Sequence, residues 1–241
     1  MAPILEHGHT PSEIRRRLAS GAQVSYTRDW VYGGIDGTVT TFAVVAGVSG
    51  AELSSQIILI LGTANLLADG FSMAAANYSG TKTELDEYER FQRMEERHIK
   101  LAPDGEREEI RQIFQAKGFE GADLERAVEI TTATKERWVQ TMLTEEHGLP
   151  LAKRSPLRAA VYTFSAFVVC GLLPLIPFIF GFHAGLFIAT IFSGLAFILI
   201  GSLKSLWSAR SWWRSGLETL VIGLAAAALS YLVGHLLRGL A

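Results

Sequence analysis

Residues 159–203 read AAVYTFSAFVVCGLLPLIPFIFGFHAGLFIATIFSGLAFILIGSL and contain no Asp, Glu, Lys or Arg. A bilayer core about 30 Å thick takes roughly 20 apolar residues per helix. The stretch is long enough for two spans, with Gly181-Phe182-His183-Ala184-Gly185 as the turn between them. Pro174-Leu-Ile-Pro177 kinks or ends the first of the two, because proline removes a backbone donor and clashes with the preceding turn. A third uncharged run covers Thr219 to Leu237. Two earlier candidates lie at roughly Trp30–Gly50 and Leu53–Gly80, each with a single intramembrane acid, Asp36 and Asp69. The fold class expected is all-α: an integral membrane protein with five transmembrane helices.

Lys and Arg favour the cytoplasmic side of short loops. Arg15, Arg16, Arg17 and Arg28 precede the first span, and Lys204, Arg210 and Arg214 sit between the last two. The connection near residue 51 has only Glu52, and the 181–185 turn has no charge. Five spans with the N-terminus inside place all the basic segments on one side, with Arg238 the exception. Thr10-Pro11-Ser12-Glu13 reads as a helix start with a capping box, and Ile14-Arg-Arg-Arg-Leu18 suits a short interfacial helix on anionic headgroups. No apolar signal-peptide core is visible, and a bacterial inner membrane is expected rather than a vacuolar one. The single cysteine, Cys170, excludes a disulfide scaffold or a cysteine-rich metal site. No nucleic-acid partner is expected.

The expected division is 1–28, an interfacial segment; 29–80, spans one and two; 81–150, a polar insert; and 151–241, spans three to five. The insert falls on the cytoplasmic side. It holds 17 acids and 11 bases, a net charge of −6, whereas the remainder is +4. Three helices are expected in it: about Lys82 to Leu101, ended by Pro103; Asp104 to about Lys117, stopped by Gly118; and about Gly121 to a stop before Gly148.

Glu84, Glu87, Phe91, Glu95 and His98 follow helical spacing and share a face of the first of these. Glu106 and Glu109 are three apart on the second, and Met142, Glu145 and Glu146 lie together on the third. Carboxylates with an imidazole and a thioether suit Fe²⁺ or Mn²⁺ rather than Mg²⁺ or Ca²⁺. The plainer alternative is a solvated charged face making i, i+4 pairs with the insert's bases. Within the membrane, an ionisable group costs about 2.5–3.5 kcal/mol at the helix centre, so such groups tend to line a path. Asp29 and Asp36 are two turns apart, and Gly33-x-x-x-Gly37 around Asp36 permits close helix approach. Asn65, Asp69 and Met73 form a stripe on the second span. Their structural alternatives are an interfacial acid, an interhelical hydrogen bond and ordinary packing.

Arg28-Asp29, Ile35-Asp36-Gly37, Val44-x-Ala46-Gly47-x-Ser49-Gly50, Ser72-Met73, Pro174-Leu-Ile-Pro177 and Leu217-Glu218-Thr219 together resemble the vacuolar iron transporter family, from about Arg28 to Gly223. The long insert resembles the family's metal-binding branch. The resemblance implies a homodimer with the metal path between the two first helices, and proton-driven export of Fe²⁺ from the cytosol, Mn²⁺ being tolerated by some members. It implies translocation roles for Asp36 and Met73 and a mouth role for Asp29. It implies metal ligands at Glu95, Glu106, Glu109, Met142 and Glu146. The sequence departs from the family pattern at Asn65, where an acid is usual, at His98, where a glutamate is usual, and at Leu143, where a second methionine is usual.

The reading is thus a transporter with a three-helix cytoplasmic metal-binding domain. It is not an enzyme and has no prosthetic group; Fe²⁺ or another divalent ion is its substrate, and protons, the bilayer and a second copy are its partners. The candidate path is Asp29, Asp36, Asn65, Asp69 and Met73. The candidate metal set is Glu95, His98, Glu106, Glu109, Met142, Glu145 and Glu146. The alternatives are a membrane-anchored di-iron oxidase, suggested by the Glu95-x-x-His98 spacing, and a metal sensor or buffer without transport.

Overall fold

The computed structural model describes residues 8–21, 24–150, 152–208 and 210–240. Residues 1–7, 22 and 23 of the N-terminal segment lie outside these. The described chain is helical and contains no strand. It divides into two compact units, one of residues 25–82 and 155–241, the other of residues 1–24 and 83–154.

The first unit is the membrane bundle, and the protein is a multi-pass integral membrane protein. Five helical stretches are long and apolar enough to cross a bilayer: α2 (Thr27–Gly50), the first part of α3 (Ser55–Leu101), Pro156–Ile179, α9 (Gly185–Leu203) with its short extension to Trp207, and α10 (Trp212–Leu237). The third stretch is broken as its prolines require. Helix α7 (Pro156–Gly171) gives way to a 3-10 turn at Leu173–Leu175 and then α8 (Ile176–Ile179).

Helix α2 is the centre of the bundle and packs on α7, α9 and α10. Its glycines make this possible. A Cβ on Gly33 would stand 2.4 Å from the Thr163 carbonyl oxygen, and one on Gly37 would stand 2.3 Å from that of Phe167. The small-xxx-small face is therefore occupied by α7 of the same chain. A second stripe of α2, comprising Tyr32, Asp36, Thr40 and Ala43, keeps partial or full exposure. Phe42, Val45, Leu66, Phe167, Leu175 and Phe197 fill the apolar core. Arg238, the charge expected on the side opposite the other basic segments, pairs with Glu52 at 2.7 Å. Glu218 pairs with Arg210 at 3.1 Å, while Arg214, four residues before it, stacks on Trp213.

The second unit differs from the expected three helices in three places. The helix expected from Lys82 is the continuation of α3, which runs unbroken for 47 residues. No proline interrupts residues 55–101, and an isolated glycine such as Gly80 costs only about 1 kcal/mol. The last expected helix is split into α5 (Gly121–Thr132) and α6 (Lys135–Glu145). Thr131, Thr132 and Thr134 weaken the helix there by β-branching, and the Thr134 hydroxyl accepts the Arg137 N–H as a new N-cap at 3.4 Å. Helix α4 (Pro103–Ala116) starts one residue before the expected cap, with Pro103 in its first turn and Ala102 at the N-cap position. Ile110, Leu124, Val128, Trp138 and Met142 form the apolar core of the unit. In the N-terminal segment, α1 (Pro11–Ala19) has the capping box: Thr10 N–H donates to Glu13 Oε2 at 3.1 Å, and Glu13 N–H donates to Thr10 Oγ1 at 3.4 Å.

Candidate metal sites

In the second unit, α3 carries Glu95 and His98 one turn apart, and α4 brings Glu106 across. Glu95 is 1% exposed and Glu106 is 4% exposed. His98 Nδ1 lies 3.4 Å from Glu106 Oε1. One donor atom from each of Glu95, His98 and Glu106 falls within a 4.8 Å group. Glu95, Glu146 and His147 form a second group of the same dimension. His147 Nε2 is 2.9 Å from Glu95 Oε1 and 3.7 Å from Glu146 Oε2. Glu95 belongs to both groups.

Among the described residues these carboxylates have histidine neighbours but no Lys or Arg partner. Burial pushes the Glu106 carboxyl up to about 8, reinforced by the negative charges of Glu109 and Glu95. Burial also raises Glu146; His147 works against that rise, and Glu109 and Glu95 add to it. The Oε2 atoms of Glu95 and Glu106 are buried without a hydrogen-bond partner. An unsatisfied buried oxygen costs about 1–3 kcal/mol or more, and either a proton shared between Glu106 and Glu95 or a bound cation relieves it. A divalent cation takes oxygen and imidazole donors together.

Other members of the candidate set stand differently. Glu109 is exposed and acts on the cluster through its charge. Met142 is fully buried in the apolar core of the unit, and its carbonyl accepts the N–H groups of Glu146 and His147. Glu145 pairs with Lys117 at 2.6 Å and belongs to neither donor group.

In the membrane bundle, Asp36 is half-buried on the open stripe of α2, and Asp69 of α3 is close enough to act on it electrostatically. Asp29 is buried, and Asn77 Nδ2 donates to its Oδ1 at 2.9 Å and to Thr163 Oγ1 at 2.7 Å. Asn65 Nδ2 is buried without a hydrogen-bond partner. Met73 packs against the apolar core.

A family model described as the VIT family matches residues 27–235. The vacuolar iron transporter of Toxoplasma gondii is 35% identical over 225 residues, covering 88% of this chain and 74% of that protein. The chain belongs to the vacuolar iron transporter family. Vacuolar iron transporter 1 of Eucalyptus grandis is 32% identical over 209 residues, 85% of this chain and 83% of that protein. Vacuolar iron transporter 1 of Arabidopsis thaliana is 30% identical over 216 residues, 88% and 86% of the two chains.

Two residues of this vacuolar iron transporter family member stand outside the sequence-derived sets. His147 follows the end of α6, where helical spacing no longer predicts a face. Asn77 extends the Asn65, Asp69, Met73 stripe by one more turn of α3, a signal that was present in the spacing.

The raised carboxyl of Glu106 gives a pH prediction. A group whose folded-state pKa exceeds its ordinary value of 4.5 adds stability that is complete below that value and is lost as pH rises through about 8. The thermal midpoint of the metal-free protein in detergent is expected to fall across that window, and Glu106→Gln is expected to flatten the fall. Circular dichroism melts at a series of pH values check this. An equal slope in the variant would show that Glu106 is not the titrating group.

Proposed function

We propose that this protein transports Fe²⁺ across a membrane, out of the cytosol and in exchange for protons, and that it accepts Mn²⁺ as well. The carrying observation is that one chain joins a pair of membrane acids, Asp36 and Asp69, to an acidic unit that gathers buried carboxylates and histidines into two groups of metal-ligating atoms. The relatives are named for vacuolar iron transport, and the donor types suit Fe²⁺. In this reading the 83–154 unit faces the cytosol and gathers metal by its negative field. Asp29 stands at the entrance, and Asp36 and Met73 hold the ion in the membrane. Protonation of the carboxylates releases it, which couples the two fluxes.

The same reading makes the protein a homodimer. The partly exposed stripe Tyr32, Asp36, Thr40 and Ala43 on α2 supports this, because it would bring two copies of Asp36 to a common path.

Purified protein in liposomes with an acidic interior should accumulate external Fe²⁺, with Mn²⁺ second among Fe²⁺, Mn²⁺, Co²⁺ and Zn²⁺. Loss of external Fe²⁺ with oxygen consumption and no uptake would instead favour a di-iron oxidase. Absence of both leaves the sensor or buffer reading.

A further inference from the structure

We propose that the cavity between the α9–α10 connection and the first turn of α10 binds the phosphate of an anionic membrane lipid. The site belongs to the membrane bundle and owes nothing to the metal chemistry of the 83–154 unit.

The local fold makes the cavity. Helix α9 tightens into a 3-10 turn at Lys204–Trp207, and α10 starts at Trp212. Between them the Ser208 hydroxyl accepts the Arg210 N–H at 3.2 Å. The resulting cavity of about 280 Å³ is lined by Lys204, Trp207, Ser208, Arg210, Ser215 and Glu218. Trp207 is a fixed wall, since it packs against the buried Val31, Cys170, Ala196 and Ile200.

The lining has the chemistry of an anion site. Arg210 Nη1 pairs with Glu218 Oε2 at 3.1 Å, which satisfies the carboxylate of the lining. A guanidinium carries several N–H donors, so that pair leaves others for a ligand. Lys204 makes no ion pair among the described residues, and the lining therefore keeps a positive charge. Ser215 is 3% exposed and borders the cavity, yet its hydroxyl has no hydrogen-bond partner among the described residues. A phosphate oxygen would accept that O–H and remove the cost of leaving it unmade. The start of α10 adds to this. Ser211 gives it no side-chain cap, so the first N–H groups of a 26-residue helix, with the positive pole of its dipole, end beside the cavity.

The surroundings of the cavity decide the source of the phosphate. Leu206, Trp212 and Trp213 next to it are 70%, 63% and 50% exposed. Tryptophan concentrates at headgroup level in a bilayer. The cavity is then level with lipid phosphodiesters, and the neighbouring apolar side chains meet the acyl chains. In the orientation proposed above, this connection faces the cytosolic leaflet, whose anionic lipids attract basic segments.

The plainer reading is a water-filled gap in which Arg210 and Glu218 pair and Lys204 reaches solvent. Native mass spectrometry of the full-length protein in detergent, with phosphatidylglycerol or phosphatidylcholine added, separates the two. One phosphatidylglycerol per chain should be retained in preference to phosphatidylcholine. Lys204→Gln should weaken retention about tenfold, the loss of one charge-assisted hydrogen bond, and Lys204→Arg should restore it. Ser215→Ala, which removes only the hydroxyl, should weaken it as well. Arg238→Gln, a basic residue at the far end of α10, should change nothing. Full retention in both Lys204→Gln and Ser215→Ala would leave the water-filled gap and overturn the site. Equal retention of the two lipids, or equal loss in Arg238→Gln, would reduce the effect to unspecific attraction and overturn it too. Displacement of phosphatidylglycerol by inorganic phosphate at equal concentration would assign the cavity to a soluble anion and overturn the lipid assignment. None of these outcomes depends on iron flux, so transport stands or falls separately.

Discussion

Asp36→Ala is expected to lower metal flux to about a hundredth of wild type or less, with a folded protein. The charge is costly where it lies: about 2.5–3.5 kcal/mol on insertion scales. Its side chain makes no ion pair or hydrogen bond among the described residues, and only its backbone carbonyl is engaged, by Thr40 Oγ1 at 2.9 Å. Nothing structural depends on the carboxylate, and alanine is the better helix former. Removing a ligand worth about 3 kcal/mol in the rate-limiting state corresponds to roughly a hundredfold in rate. Flux and thermal midpoint measured on the same preparation decide it. Wild-type flux would remove Asp36 from the path. A large drop in midpoint would mean that the carboxylate supports the fold after all.

The spans were legible because a bilayer imposes length and apolarity on any helix that crosses it, and residues 159–203 leave no other reading. The boundaries within the polar unit were less so. Nothing in residues 81–101 says where one helix ends and another begins, since α3 does not end there at all. The division between α5 and α6 rests on three threonines whose individual preferences are weak. In the donor cluster, Glu95 and His98 could be placed together from their spacing of three. Glu145 and Glu146 were grouped as neighbours, yet successive helical residues point about 100° apart. Glu146 takes the side of the cluster and Glu145 the side of Lys117. His147 was beyond reach because its direction is set by the turn at Gly148 and not by a helix. The pairing of Asn77 with Asp29 spans 48 residues of chain and belongs to tertiary packing.

Asp69→Asn is expected to abolish accumulation driven by a pH gradient while leaving some downhill metal movement. Asparagine has the size of aspartate but carries neither proton nor charge at ordinary pH. Asn65, the other polar residue of the stripe, cannot take up the proton that the proposed exchange would return. Asp69 is one turn, about 5.4 Å, further along α3, and it is the acid that acts on Asp36 across the bundle. If Asp36 holds the metal, Asp69 is placed to gain a proton as the metal leaves. Its loss should uncouple the fluxes without closing the path, whereas Asn65→Ala should have the smaller effect on both. The stability signs differ as well. Asp69 and Asp36 are like charges, so neutralising one relieves repulsion, and the variant should melt no lower than wild type. A structural role for Asp69 predicts a lower midpoint with coupling intact. An Asp69→Asn protein that is stable and fully proton-coupled would exclude both roles and send the search for the proton carrier back to Asp29, whose carboxylate is already held by Asn77.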